Sequence, residues 1–185
     1  MSQATKYHTV YPYEIRQGYG SGCYVLMLAE PKQVRVVPML IGAAESQAIM
    51  LAQERQTTLR PMTHPLMLNL METFGLTLTQ VAIERFDEGI FYANLYVSDG
   101  FNEKVIDSRA SDAVTLALIA ERPILIADSV LEETSVPMEA MEQDKPTRES
   151  DLDELERLLK QYEEEEDFEK AAEVLKEIEK RKVKG

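Results

Sequence analysis

The stretch Ile106-Asp107-Ser108-Arg109-Ala110-Ser111-Asp112 crowds two carboxylates, a guanidinium and two hydroxyls into a short span. The small apolar run Ala113-Val114-Thr115-Leu116-Ala117-Leu118 follows at once. Read locally, a strand ends near Asp107, Ser111 caps a helix, and Asp112 occupies the first helical turn, where an acid suits the positive helix end. Charged groups at the junction of a strand and a helix can be aimed by rigid elements. The chain has no persuasive Ser-His-Asp or Cys-His spacing, no glycine-rich phosphate loop and no His/Cys metal cluster. Its chemistry therefore falls to carboxylates, guanidinium groups and two histidines, of which His8 reads as a surface strand residue.

The composition narrows the classes. With 185 residues and 44% hydrophobic content, the chain can bury one sizeable core and carry a small appendage. No apolar run reaches the length of a membrane span, and the N-terminus lacks a basic-then-apolar leader, so a soluble cytoplasmic protein is expected. The lone Cys23 excludes an internal disulfide and a multi-cysteine zinc site, and reads as a small buried hydrophobe. The net charge is −13, and it is spread: residues 134–185 hold 17 acids against 10 bases, and residues 1–133 hold 16 against 10. Neither half has the basic excess of a typical nucleic-acid binder. Any phosphate contact must come from a local cluster or a bound metal ion.

The elements that would position the charged groups follow from periodicity. Residues 7–16 read as a strand, and 23–41 as a hairpin turning at Glu30-Pro31-Lys32. Pro38 inside its second strand argues for an edge or a bulge. A helix over 44–54 has Glu45 in its first turn and Ala44, Ala48, Leu51 and Ala52 on one face, with Ile49 alongside. A second helix, capped by Thr63 with Pro65 in its first turn, carries the stripe Leu66, Met67, Leu70, Met71 and Phe74 and ends at Gly75. Met50, Met62, Met67 and Met71 suit core or oligomer packing. Residues 78–107 form a three-strand meander, with turns at Asp87-Glu88-Gly89 and Ser98-Asp99-Gly100. A helix over 111–121, apolar nearly all round, must be sandwiched. A short buried strand at 124–127 and a helical piece near 128–133 follow. The expected fold is α+β: a mixed or antiparallel sheet with three packed helices over residues 1–133. A flexible linker over 134–149 then leads to an α-helical hairpin over 150–185.

Two resemblances join these readings. Pro38-Met39-Leu40-Ile41-Gly42-Ala43-Ala44-Glu45 with Ala48-Ile49, Arg60-Pro61-Met62-Thr63-His64, Phe91-Tyr92-Ala93-Asn94-Leu95 and Asp107-Ser108-Arg109-Ala110-Ser111-Asp112-Ala113 stand in an order that resembles the bifunctional nuclease domain, a bacterial and plant family acting on DNA and RNA. Two positions depart from the family pattern: Pro65 stands where an acid is common, and Ala110 where proline often lies between the arginine and the serine. The C-terminal piece Asp167-Phe168-Glu169-Lys170-Ala171-Ala172 resembles a UVR motif, a helical hairpin that binds protein partners or a like hairpin on another chain.

The first resemblance implies hydrolysis of phosphodiester bonds in DNA or RNA. Glu45, Asp107 and Asp112 would hold a divalent metal, magnesium or manganese. His64, Asp107 and Asp112 would carry the catalysis, and Arg60 and Arg109 would clamp phosphate. The second implies recruitment of a protein partner, or self-association into a homo-oligomer, through residues 150–185. Each site residue also has a structural alternative. Glu45 and Asp112 suit helix N-termini, Asp107 and Arg109 could pair to fix a turn, Arg60 could bond carbonyls closing the first helix, and His64 could be a first-turn structural residue. The functional alternative is a non-catalytic oligomeric scaffold or regulator. The distance between Glu45, Asp107 and Asp112 separates the two.

Overall fold

The computed structural model describes residues 5–18, 22–32 and 34–143, with Leu159, Tyr162, Val174 and Leu175 beyond them. The chain divides into a compact unit Met1–Met138 and a second unit Glu139–Gly185. The helical hairpin expected over 150–185 lies outside the described stretches. No helix among the described residues is long and apolar enough to cross a membrane.

The architecture is α+β, as the periodicities imply. Strands β1 (Tyr7–Gln17), β2 (Cys23–Ala29), β3 (Arg35–Gly42), β4 (Thr77–Asp87), β5 (Ile90–Ser98), β6 (Glu103–Arg109), β7 (Ile124–Ala127) and β8 (Val136–Pro137) form one sheet in the order β6-β5-β4-β7-β1-β2-β3-β8. Every pairing is antiparallel except β4 with β7. The β4–β5 turn has Glu88 at φ 48° and Gly89 at φ 84°, two successive left-handed residues. That backbone matches the twist of the flanking strands, as the acid-then-glycine signal anticipates. Pro38 falls where β3 has lost its outer neighbour, because β8 pairs only with Arg35 and Val36. The missing proline N–H therefore leaves no ladder bond unmade on that side. Both residues of β8 lie inside the span expected to be a linker. That span also begins a helix, α5 (Met138–Gln143), so its first part, through residue 143, is structured. Cys23 is half-buried rather than enclosed.

Helices α1 (Ala43–Gln53), α2 (Thr63–Thr73), α3 (Ala110–Ile119) and α4 (Asp128–Thr134) complete the unit. Helix α3 is the sandwiched one: Ala110 through Ala117 include seven buried residues, and it packs against α1, α2, β4 and β5. With Leu26, Leu28, Val37, Ile49, Ile83 and Ile126, Leu116 belongs to one continuous core.

The other two helices turn differently from the apolar stripes. In α1 the buried residues are Ser46 and Ile49, while Ala48, Leu51 and Ala52 are only half-buried. In α2 no residue is fully buried. Leu68 and Met71 pack against the core, with His64 one turn earlier on the same face. Leu66, Met67, Leu70 and Phe74, expected to face inward, are exposed instead. Counting only apolar residues hides a face whose first member is a histidine. Met50 and Met62 are likewise exposed. The caps also differ. Met62 and Arg109, not Thr63 and Ser111, are the N-cap residues, and neither helix has a side-chain cap bond.

The sharp division between α3 and the outer strands has a measurable consequence. Leu116→Ala is expected to lower the unfolding free energy by about 2–5 kcal/mol. Leu40→Ala, on a residue that is 70% exposed, should cost less than about 0.5 kcal/mol. Urea midpoints at unchanged slope check both.

Candidate active site

Strand β6 continues pairing with β5 as far as Arg109 opposite Tyr92, and α3 begins at the next residue. The strand therefore ends two residues later than the charged turn suggests. Arg109 is the helix N-cap residue, with extended backbone. Asp112, three residues on, stands beside it. Arg109 donates from Nε to Asp112 Oδ2 at 2.7 Å and from Nη2 to Asp112 Oδ1 at 3.1 Å. Its Nη1 donates to Glu45 Oε1 at 2.9 Å. These bonds use three of the five guanidinium N–H groups and leave two for an incoming acceptor. The hydrogen bond it donates to Asp112 is the main cause holding the Arg109 pKa above its ordinary value, so the group stays charged.

Glu45 reaches this position from the first turn of α1. Its carboxylate folds back over the helix start so closely that a Cβ built on Gly42 would lie 2.5 Å from Oε2. Glycine at 42 thus leaves room for the acid that flanks Arg109.

His64, the second residue of α2, completes the chain of groups. Its Nε2 lies 3.0 Å from Asp112 Oδ1. An ionised carboxylate can only accept, which assigns the proton to Nε2 and leaves the Nδ1 lone pair without a partner among the described residues. Burial is the largest single influence on Asp112 and acts to raise its pKa. The hydrogen bonds from Arg109 and His64, with the guanidinium charge, outweigh it and hold the carboxyl below its ordinary value.

These groups line one cleft of about 650 Å³ in the first unit. Its walls are Ala48, Leu51 and Ala52 of α1, Leu118 and Ile119 of α3, and the two chain pieces Arg55 to Thr58 and Pro61 to Pro65. Of the residues singled out in the sequence, Glu45, His64, Arg109 and Asp112 meet here. Asp107 and Arg60 do not line the cleft. Asp107 lies opposite Asn94, so alternation places both on the sheet face away from Ala93 and Leu95, which are buried. Asp107 is an exposed strand residue two positions before the N-cap residue of α3. Arg60 is an exposed residue of the loop before α2, where its carbonyl accepts from the Thr58 hydroxyl at 2.5 Å.

The set expected to hold a divalent metal does not assemble. Two of its carboxylates are committed to a guanidinium, and the third does not line the cleft. Among the described residues no group of three or more His, Cys, Asp or Glu is placed to hold an ion. The residues present therefore do not fit a protein-only cation cage. Sequence reasoning missed Arg55 and Glu121, which pair across the rim at 2.8 Å. Only their nearness to the ends of the first and third helices could have pointed to them.

A family model described as the bifunctional nuclease domain matches residues 26–139. Two relatives, both named uncharacterized proteins of Mycobacterium tuberculosis, one from strain CDC 1551 / Oshkosh and one from H37Rv, are each 36% identical over 107 residues. The match covers 58% of this chain and 63% of each relative, so it spans less than two thirds of their length.

Asp112 makes the site pH-sensitive in a defined direction. Its folded pKa lies below the ordinary value of 3.8. Its contribution to stability is therefore complete above that value and is lost as the pH falls through the lower, folded pKa. Asp112→Asn should remove this acid-side component, so that stability falls less steeply on acidification below the ordinary carboxyl value than in the unaltered protein. Chemical denaturation at a series of acidic pH values reads the difference.

Proposed function

The chain belongs to the bifunctional nuclease domain family, and on that footing we propose that it hydrolyses phosphodiester bonds of DNA or RNA in the cleft between α1, α2 and α3. The observation that supports this most is the continuous series Glu45–Arg109–Asp112–His64, which lines that cleft. His64 Nδ1 takes a proton from the attacking water as its oxygen bonds to phosphorus. Asp112 holds the imidazole in the required tautomer and stabilises the imidazolium that forms. The two unused N–H groups of Arg109 bind the non-bridging oxygens and neutralise the charge that grows on them. The bond to the departing oxygen breaks, and that oxygen is protonated from solvent. Glu45 fixes the guanidinium from its other side. No step in this scheme passes through a metal ion.

The same reading places the protein in the cytoplasm and gives residues 150–185, with their UVR-like sequence, the task of engaging a protein partner or a second copy. The exposed Leu66, Leu70 and Phe74 of α2 support self-association as part of it.

Cleavage of plasmid and RNA by the purified full chain tests the proposal. His64→Ala and Arg109→Ala should each lose about 10²- to 10⁴-fold in rate, whereas Asp107→Ala should stay within about twofold. Activity should persist with a chelator. Equal cleavage by His64→Ala would expose a contaminant and overturn the assignment. Loss with the chelator, restored by magnesium, would overturn the metal-free scheme.

A further inference from the structure

Resting on that functional reading, we infer that the cleft takes one unstacked nucleoside of a single strand, with its phosphate at Arg109, and that duplex nucleic acid is excluded. The first argument is charge. Arg109 meets two carboxylates, Glu45 and Asp112, while Arg55 at the rim is matched by Glu121. Around them the chain carries −13. A protein that tracks a duplex backbone draws its affinity from many phosphate contacts and the counterions they release. This site offers a single arginine with two free N–H groups, enough for one phosphate.

The second argument is the wall. Ala48, Leu51 and Ala52 form an apolar helical face that the protein's own core does not cover. Leu118, Ile119 and Met62 line the same space. The volume of about 650 Å³ lies in the range of small-ligand sites. Affinity that the charges do not supply must come from burying a flat, largely apolar group there. A nucleobase with its sugar, attached to the phosphate being cut, has that chemistry. A base within a duplex reaches such a pocket only after unpairing and unstacking, and the cost is least where the strand is already single. The recognition is therefore of an end, a loop or an unpaired stretch, in RNA or DNA alike.

Four measurements on the full chain test this. A single-stranded oligonucleotide should be cut at least about tenfold faster than the same strand in a duplex. Binding of the single strand to His64→Ala should weaken only slightly with salt, with a logarithmic slope near −0.7 for each phosphate held, hence about −1 in all. Ala48→Phe, which fills the apolar wall away from Arg109, should lower kcat/KM on the oligonucleotide by about tenfold or more. As a check that does not depend on that variant folding, adenosine 5′-monophosphate should raise the melting temperature of the unaltered protein where inorganic phosphate at the same concentration does not. Equal cleavage of single strand and duplex, a steep salt slope, or equal effects of phosphate and the mononucleotide would each overturn the inference and leave the nuclease reading standing. Binding of the mononucleotide with no cleavage of any strand would overturn the nuclease reading and leave the cleft's ligand class standing.

Discussion

The arrangement depends on one guanidinium held between two carboxylates. Arg109 stands at the start of α3, Asp112 in that helix's first turn, and Glu45 in the first turn of α1. Through Asp112 the group also reaches His64 at the start of α2. Three helix beginnings thus meet at a single positive charge. Acids are favoured at helix N-termini in any case, because the unpaired N–H groups there carry partial positive charge. The cation between them relieves the repulsion that two neighbouring carboxylates would otherwise suffer. The arginine side chain is 67% exposed, so its ion pairs add little to stability in water. They serve geometry: each bond fixes the direction of a donor or an acceptor that faces the cleft.

The sheet and α3 supply the rigidity that this geometry needs. Helix α3 is buried along most of its length against α1, α2 and the sheet, so its first turn cannot shift without disturbing the core. Helix α2 is held more lightly. It seats itself through the half-buried His64, Leu68 and Met71 and leaves Leu66, Leu70 and Phe74 in solvent. The histidine is therefore both a chemical group and one of the side chains that seat its helix. Helix α1 lies between these extremes, anchored by Ile49 and open along its alanines.

The element order, the meander, the buried third helix and the four converging residues were legible because each rests on a local rule: alternation, acid-then-glycine turns, all-round apolarity, or an acid in a first turn. The stripes of α1 and α2 misled for a physical reason. Periodicity identifies an apolar face but not what covers it, and here one face lines a cleft and the other meets solvent. The strand end was placed near Asp107 because a run of charges reads as a turn, while the ladder with β5 carries the strand to Arg109. Asp107 thus lies within the strand, two residues short of the helix N-cap, and does not line the cleft. The carboxylates were read as metal ligands because sequence shows their number and not their partners. Glu45 and Asp112 have Arg109 as their common partner.

The junction at Arg109 and Ala110 has no loop. Strand pairing therefore sets the rotation of α3 directly, with no slack between them. One residue inserted or deleted between the last β5–β6 pair and Asp112 would swing that carboxylate by about 100° around the helix axis, away from both Arg109 and His64. The turn at 99–102, by contrast, closes on itself through Asp99, which accepts from the Phe101 and Asn102 amides at 2.8 and 2.7 Å. Changes of chain length can be absorbed there without reaching the site. Among diverging copies of this fold, variation in length should thus accumulate on one side of β6 and be purged from the other, so that the spacing from Arg109 to Asp112 outlasts the sequence around it.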